Sequence, residues 1–425
     1  MARWVDGKGF HPENIIQKLN TITSFSSMDN KFHIDYGYPD YSYNGLVVVL
    51  ANMLHLSSEV SEVKKFDLLQ QAIRLTRQEG DITAVKLLGQ LRKAENQYIE
   101  QPKHDFILAT FISADAWFTQ PKLENRRIYN ATITFGHKLP EKFQSTHNKI
   151  REHAKRTIPG KFPDRYQAVR VRVSARTATE AAESALDRLD LLRAIWNFSI
   201  TRNSSLHPRT TSGIRKPINA LVLGPLQTIH KPNGEEVSDE TQWWYEPSYI
   251  APITPFDVER NSERMYKDEK WVRERLSRLP YQINLENIFV RYVHALDDTN
   301  WKNTFLALWS ILEELTNTTG NYEQTIKRTA FLYEDTAYHM EILNHLRRHR
   351  NDLIHEGSST IFFETLSYQA IYYVNQLLEF HLVNHFKFES LGAVADFLGH
   401  AIDKDKLKMS FQLLKKVVKF RKVKL

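Results

Sequence analysis

The second half of the chain leaves little choice of fold, because it reads as one amphipathic helix after another. Apolar residues recur at spacings of three and four over 285–296, 303–315, 322–331, 338–355 and 362–385, the pattern of helices that each bury one stripe. The joints at 297–301 and 316–321 are short and polar. Joints of that length favour neighbours packed antiparallel in a bundle. The core of this bundle is expected to include Ile288, Tyr292, Leu308, Leu312, Leu346, Leu366, Tyr373 and Leu377.

The 425 residues suffice for two domains, and the region before the bundle has a different texture. Helices are predicted over 12–22, 58–77 and 81–98, the last opened by Asp81 as its N-cap. Strands are predicted over 106–112, 127–135 and 167–174. The third is the clearest, with Val169, Val171 and Val173 alternating against Arg170 and Arg172. It runs through a Thr-rich turn into a helix over 178–198. Further strands are predicted over 219–223 and 226–230, before a turn at Asn233 and Gly234. Trp243, Trp244 and Tyr245 are read as core in preference to a base-stacking platform. The highly charged stretch 257–278 reads as a helical connector.

The expected fold class is therefore α+β and predominantly α. A mixed α/β domain is placed over 1–275, divisible into a helical region over 1–100 and an α/β region over 101–275. A helical bundle follows over 276–390, and a basic amphipathic tail over 391–425.

Cysteine is absent, which excludes disulfides, Fe–S clusters and Cys-ligated zinc and fits a reducing compartment. The first residues lack the apolar core of a signal peptide, and no apolar run reaches membrane-spanning length. A cytoplasmic protein is expected. No GxxxxGK[ST] or GxSxG pattern occurs. His345 and His349 are four apart but have no HExxH pattern or nearby carboxylate partner, so neither a metal site nor a cofactor is expected. Charge is concentrated at one end: nine Lys or Arg against two Asp over 403–425 give +7, the same as the formal net charge of the whole chain. Leu407, Phe411, Leu414 and Val418 recur there at helical spacing. A basic amphipathic helix of this kind suits RNA phosphates, an anionic membrane surface or its own domain. As RNA contacts, the candidates are Lys415, Lys416, Lys419, Arg421 and Lys422.

One residue breaks the bundle's pattern. Leu343, Leu346 and Leu353 mark the buried stripe of 338–355, and Arg350 occupies the stripe position between them. A guanidinium there is costly unless partnered. Asn351 and His355 are four apart and neighbours on a helix surface, whereas Arg350 and His355 lie about 140° apart around one helix. Only a long reach, a frayed end near Gly357 or a second subunit would aim both at one phosphate.

An Arg, a polar residue, three further positions, a His and a nearby Gly resemble the signature of HEPN ribonucleases, here Arg350, Asn351 and His355. Phe305–Leu315, read FLALWSILEEL, resembles the helix of the Apea-like branch that carries a Glu in an apolar frame, here Glu313. The helix over 362–385 stands where that branch has its closing helix. The resemblance implies a HEPN-like bundle, a homodimer whose paired bundles form a composite cleft, and metal-independent cleavage of RNA to a 2′,3′-cyclic phosphate. It also implies prokaryotic antiviral or toxin-like defence with an RNA target such as tRNA. The domain over 1–275 is then expected to sense a trigger or position a ligand.

The residue types suit the chemistry. A His exchanges protons near neutrality, and an Arg offers a planar fork of donors to a phosphorane as its charge grows. Asn351 would orient the phosphate or His355, and Glu313 would hold Arg350 or His355 in place. The alternative is a non-catalytic interaction or ligand-binding module in which Arg350, Asn351 and His355 stabilise a protein contact; taken by itself, Arg350 would instead form a buried ion pair with Glu313 that sets bundle register.

Overall fold

The computed structural model describes residues 1–5, 9–37, 42–115, 124–158, 161–202, 216–237, 242–246, 249, 251–355 and 362–422, with His355 described by its backbone alone. The fold is α+β and mostly helical. The described chain divides into two compact units, one of Met1–Asp105 with Ser174–Ala181, the other of Phe106–Val173 with Ala182–Leu425.

In the first unit, α1 (Pro12–Ile22) starts with a proline, whose missing N–H is not needed in a first turn. It buries Ile16, Leu19 and Ile22. Strand β1 (Arg3–Trp4) pairs antiparallel with β4 (Leu54–His55), and β2 (Thr23–Ser26) with β3 (Lys31–Ile34). Helices α2 (Tyr43–Asn52), α3 (Glu62–Gln78) and α4 (Ala84–Ile99) close one core around Leu50, Leu69, Ile73, Leu87 and Leu91. The cap expected at Asp81 lies instead at Thr83, whose hydroxyl accepts from Lys86 N at 3.3 Å. The Asn20 amide brackets the Ile82 peptide, taking its N–H and donating to its C=O at 2.9 Å each, and Thr83 is extended. Asp81 pairs with Arg77. The segment 174–181 belongs to this unit through Arg176, which bridges Glu59 at 2.6 Å and Glu180 at 3.0 Å while stacking over Tyr98.

The second unit is built on a six-stranded sheet, in the order β10 (Trp243–Tyr245), β9 (Leu226–His230), β5 (His104–Ile112), β8 (Gln167–Ala175), β7 (Ala131–Gly136) and β6 (Asn125–Ile128). All five residues of β9 are buried, polar ones included. Part of the cost of that burial is offset by hydrogen bonds among the polar side chains. His147, on α5 (Glu141–Ala154), meets Thr228 at 2.9 Å, and Thr228 meets His230 at 2.8 Å. Helix α6 (Ala178–Thr201) contributes Leu189, Leu192, Ile195 and Trp196 to the interior. Seven helices of the second unit come in order after that, α7 (Val258–Leu276), α8 (Gln282–Asp297), α9 (Trp301–Leu315), α10 (Tyr322–Ala330), α11 (Thr336–His355), α12 (Phe363–Val383) and α13 (Leu391–Leu398), and α14 (Lys404–Phe420) follows. Helix α9 packs against α8 and α12, and α10 against α11. All eight residues expected in the core of these helices are buried.

Several sequence expectations change. The strand expected over 127–135 is a hairpin of β6 and β7, because Tyr129 takes a left-handed φ of 52° and turns the chain. The strand expected over 219–223 does not form. Leu223 makes an isolated antiparallel bridge to Ile112, and the backbone before it is held largely by side chains: Asn197 accepts from Ala220 N and Leu221 N, and Ser113 accepts from Val222 N while donating to Ala220 O. The aromatic run 243–245 is the edge strand β10, with Trp243 packed partly buried on Ile150, Ala154 and Leu226 and Tyr245 exposed. The charged connector is α7, with Val258, Met265, Val272 and Leu276 buried.

Candidate active site

Helix α11 buries Leu343 and Leu346 completely, while Leu353 stays half-buried. Arg350 occupies the interrupted stripe position half-buried. Its guanidinium lies over the ring of Tyr322, 4.5 Å from the centroid, and Nη1 donates to Asn351 Oδ1 at 3.2 Å. The π face supplies the electrostatic partner that the stripe position demands.

Tyr322 is placed by the start of α10, where the Asn321 side chain caps Gln324 N at 3.2 Å. Its ring meets Trp309 of α9 edge-on at 6.4 Å. The Trp309 indole in turn donates to Glu313 Oε1 at 3.1 Å, one helical turn away. Arg350 and Glu313 are therefore linked through two aromatic rings across three helices. Among the described residues no ion pair joins them. Asn351 also lines an open groove of about 500 Å³ beside Asn344, His345, Arg347, Arg348 and Asp352. The groove residue His345 meets the ring of His349 edge-on at 4.5 Å, and burial, then the charges of His349 and Arg348, push the His345 imidazole below its ordinary pKa.

The structure thus joins Arg350 to Asn351 directly and to Glu313 indirectly. His355 ends α11, five residues after Arg350 on the same continuous helix, and its side chain and Gly357 lie outside the described residues. Lys415, Lys416, Lys419, Arg421 and Lys422 belong to α14 and the turn after it, all exposed. The arrangement in which this helix docks on its own domain is not found, since none of its residues is buried.

Sequence reasoning missed Tyr322 and Trp309. The signal available was the spacing of Trp309 and Glu313, four apart on one helix. It also missed a cavity of about 530 Å³ lined by Arg126, Tyr129, Tyr266, Arg273 and Glu286 among others. Beside it Glu269 is fully buried and accepts from Arg126 at 2.6 Å, from Arg273 at 3.2 Å and from the Trp196 indole at 3.1 Å. Burial, then the neighbouring Glu286, pushes the Tyr129 hydroxyl up to about 12. Glu269 falls in the apolar stripe of Met265, Val272 and Leu276, the same kind of interruption as Arg350, so the same test applied to α7 finds it.

Comparison with protein-family models, with curated proteins and with solved structures gives no match to this chain.

Proposed function

We propose that this protein is a metal-independent endoribonuclease of the Apea-like HEPN type, acting as a homodimer in prokaryotic antiviral or toxin-like defence. The observation that carries the reading is the placement of Arg350: a cation in an apolar stripe, seated on Tyr322, with Asn351 in hydrogen-bond contact beside an open polar groove. In this reading His355 takes the proton from a ribose 2′-hydroxyl and the 2′-oxygen attacks the adjacent phosphorus. Arg350 donates to the non-bridging oxygens as their charge grows, and Asn351 orients the phosphate. The bond from phosphorus to the 5′-oxygen then breaks, and a proton passes to that oxygen from an imidazolium. The products are a 2′,3′-cyclic phosphate and a 5′-hydroxyl. Two-fold pairing of bundles would set Arg350 of one subunit against His355 of the other and remove the problem of their angular separation. Glu313 acts as a positioning residue through Trp309 and Tyr322. The RNA cleaved, tRNA being one candidate, and the trigger sensed by the N-terminal region complete the proposal.

The test is cleavage of total cellular RNA by purified protein in EDTA, with His355→Ala and Arg350→Ala compared after their folding is verified. Cyclic-phosphate fragments from the wild type alone are expected. Equal cleavage by all three proteins would remove Arg350 and His355 from the chemistry.

One observation favours the second reading, a non-catalytic interaction module. The Arg350 guanidinium already has an aromatic partner within its own subunit, as a purely structural cation would. Variants that lose self-association while the wild type is inert on RNA would favour that module.

A further inference from the structure

Helix α14 carries a broad apolar surface that is left largely exposed among the described residues. Not one of its residues is buried, and Phe420, Met409, Leu413 and Phe411 are 82%, 72%, 63% and 56% exposed. Successive helical residues turn by about 100°, so its apolar side chains, with Leu407, Leu414, Val417 and Val418 completing the set, fill an arc of about 200°. Only Ser410 and Lys406 interrupt that arc. The remaining arc gathers Lys404, Lys408, Lys415, Lys416 and Lys419 with Gln412 and Asp405. Lys415 lies over the Phe411 ring at 4.4 Å, at the border between the two arcs.

We propose that α14 lies flat in the interface of an anionic lipid bilayer, its apolar arc toward the acyl chains and its lysines among the headgroups. Two features select this partner. An RNA backbone would engage the lysine arc but leave the whole apolar arc in water. A second copy of this helix would bring a like-charged stripe and the same net +7 of 403–425 to the seam, which repels. A bilayer with acidic lipids satisfies both arcs at once, with lysine stems crossing the border to keep their ammonium groups in water. No described helix is long and apolar enough to cross a membrane, so the association is at the surface. It does not depend on the catalytic reading.

The test is flotation of the full chain with vesicles of phosphatidylcholine alone and of an equimolar mixture of phosphatidylcholine and phosphatidylserine. Flotation with the acidic vesicles only is expected. Leu414→Asp, in the middle of the apolar arc, should weaken it about tenfold or more, and Lys415→Ser with Lys419→Ser should remove the preference for acidic lipid. Because no residue of α14 is buried, unchanged circular dichroism and thermal unfolding are expected for these variants. The proposal is overturned if the wild type does not float, if Leu414→Asp floats as well as the wild type, or if the tail retains RNA or self-associates without floating.

Discussion

The Arg350 guanidinium sits 4.5 Å from the centre of the Tyr322 ring, so the cation that breaks the stripe of α11 is seated on an aromatic face and not on a carboxylate. Tyr322→Leu removes the π face and should cost about 0.5–2 kcal/mol of stability, whereas Tyr322→Phe keeps the face and should cost little. RNA cleavage should fall with the Leu variant and survive in the Phe variant. Denaturant unfolding together with the cleavage assay checks both; equal behaviour of the two variants would show that the ring does not position Arg350.

A second cation is buried more deeply. Arg193 is 1% exposed and is held by Asp190 at 2.6 Å, Asp297 at 2.9 Å and the Leu221 carbonyl at 3.1 Å. Removing it takes the guanidinium from two buried carboxylates and leaves them to His294 and Asn219. Arg193→Met is expected to lose about 3–5 kcal/mol, read as a lower urea midpoint, and a loss inside the noise would mean that water reaches the carboxylates.

Histidines should shape the pH dependence from both sides. Burial pushes the His147 imidazole down to about 3 and those of His230 and His381 to about 4. These rings are neutral when folded, while the unfolded chain takes up protons near pH 6.5. Stability should therefore fall as pH drops from about 6.5 toward 4, with a slope near 1.4 kcal/mol per pH unit for each such ring. His381→Gln should reduce that slope by about one proton.

His294 works in the opposite sense. Its hydrogen bond to Asp190 raises its pKa against the effect of burial, so its contribution is present below the unfolded value and is lost as pH rises through the raised folded one. His294→Gln should flatten the alkaline side of the stability profile. An unchanged profile there would dissociate the ring from the Asp190 cluster.

Gly234 tests a close approach. Its φ is +95°, and a Cβ would stand 2.2 Å from the Lys142 carbonyl oxygen. Gly234→Ala should cost about 2 kcal/mol or more. Gly80 also has a positive φ but open space around it, so Gly80→Ala should cost only about 1 kcal/mol. Similar losses at the two positions would mean that the α5 backbone yields easily.

Much of this architecture was written locally. Periodicity placed the helices from 285 to 385 and their buried residues, alternation placed β8, and the interruption at Arg350 marked the candidate site before any partner was visible. Those features depend on which side of one element is apolar, and a single stretch of chain contains that information. The partners depend on residues far away in sequence. Glu313 was expected to serve Arg350 or His355 directly; in the fold it accepts from Trp309 one turn away on its own helix, and it is packing that brings Tyr322 of the next helix between that indole and Arg350. The strand expected over 219–223 was displaced by Asn197 and Ser113, two side chains delivered by other elements. Glu269 lies in the charged stretch expected to be a helical connector, and it is buried with Arg126 from the sheet and Trp196 from α6 as its donors. The amphipathic faces and their polar exceptions follow from side-chain type and spacing along one helix or strand, so they can be read before folding. Which groups neutralise those exceptions depends on the folded packing, because desolvated charges and backbone groups take whichever partner long-range contacts bring within bonding distance.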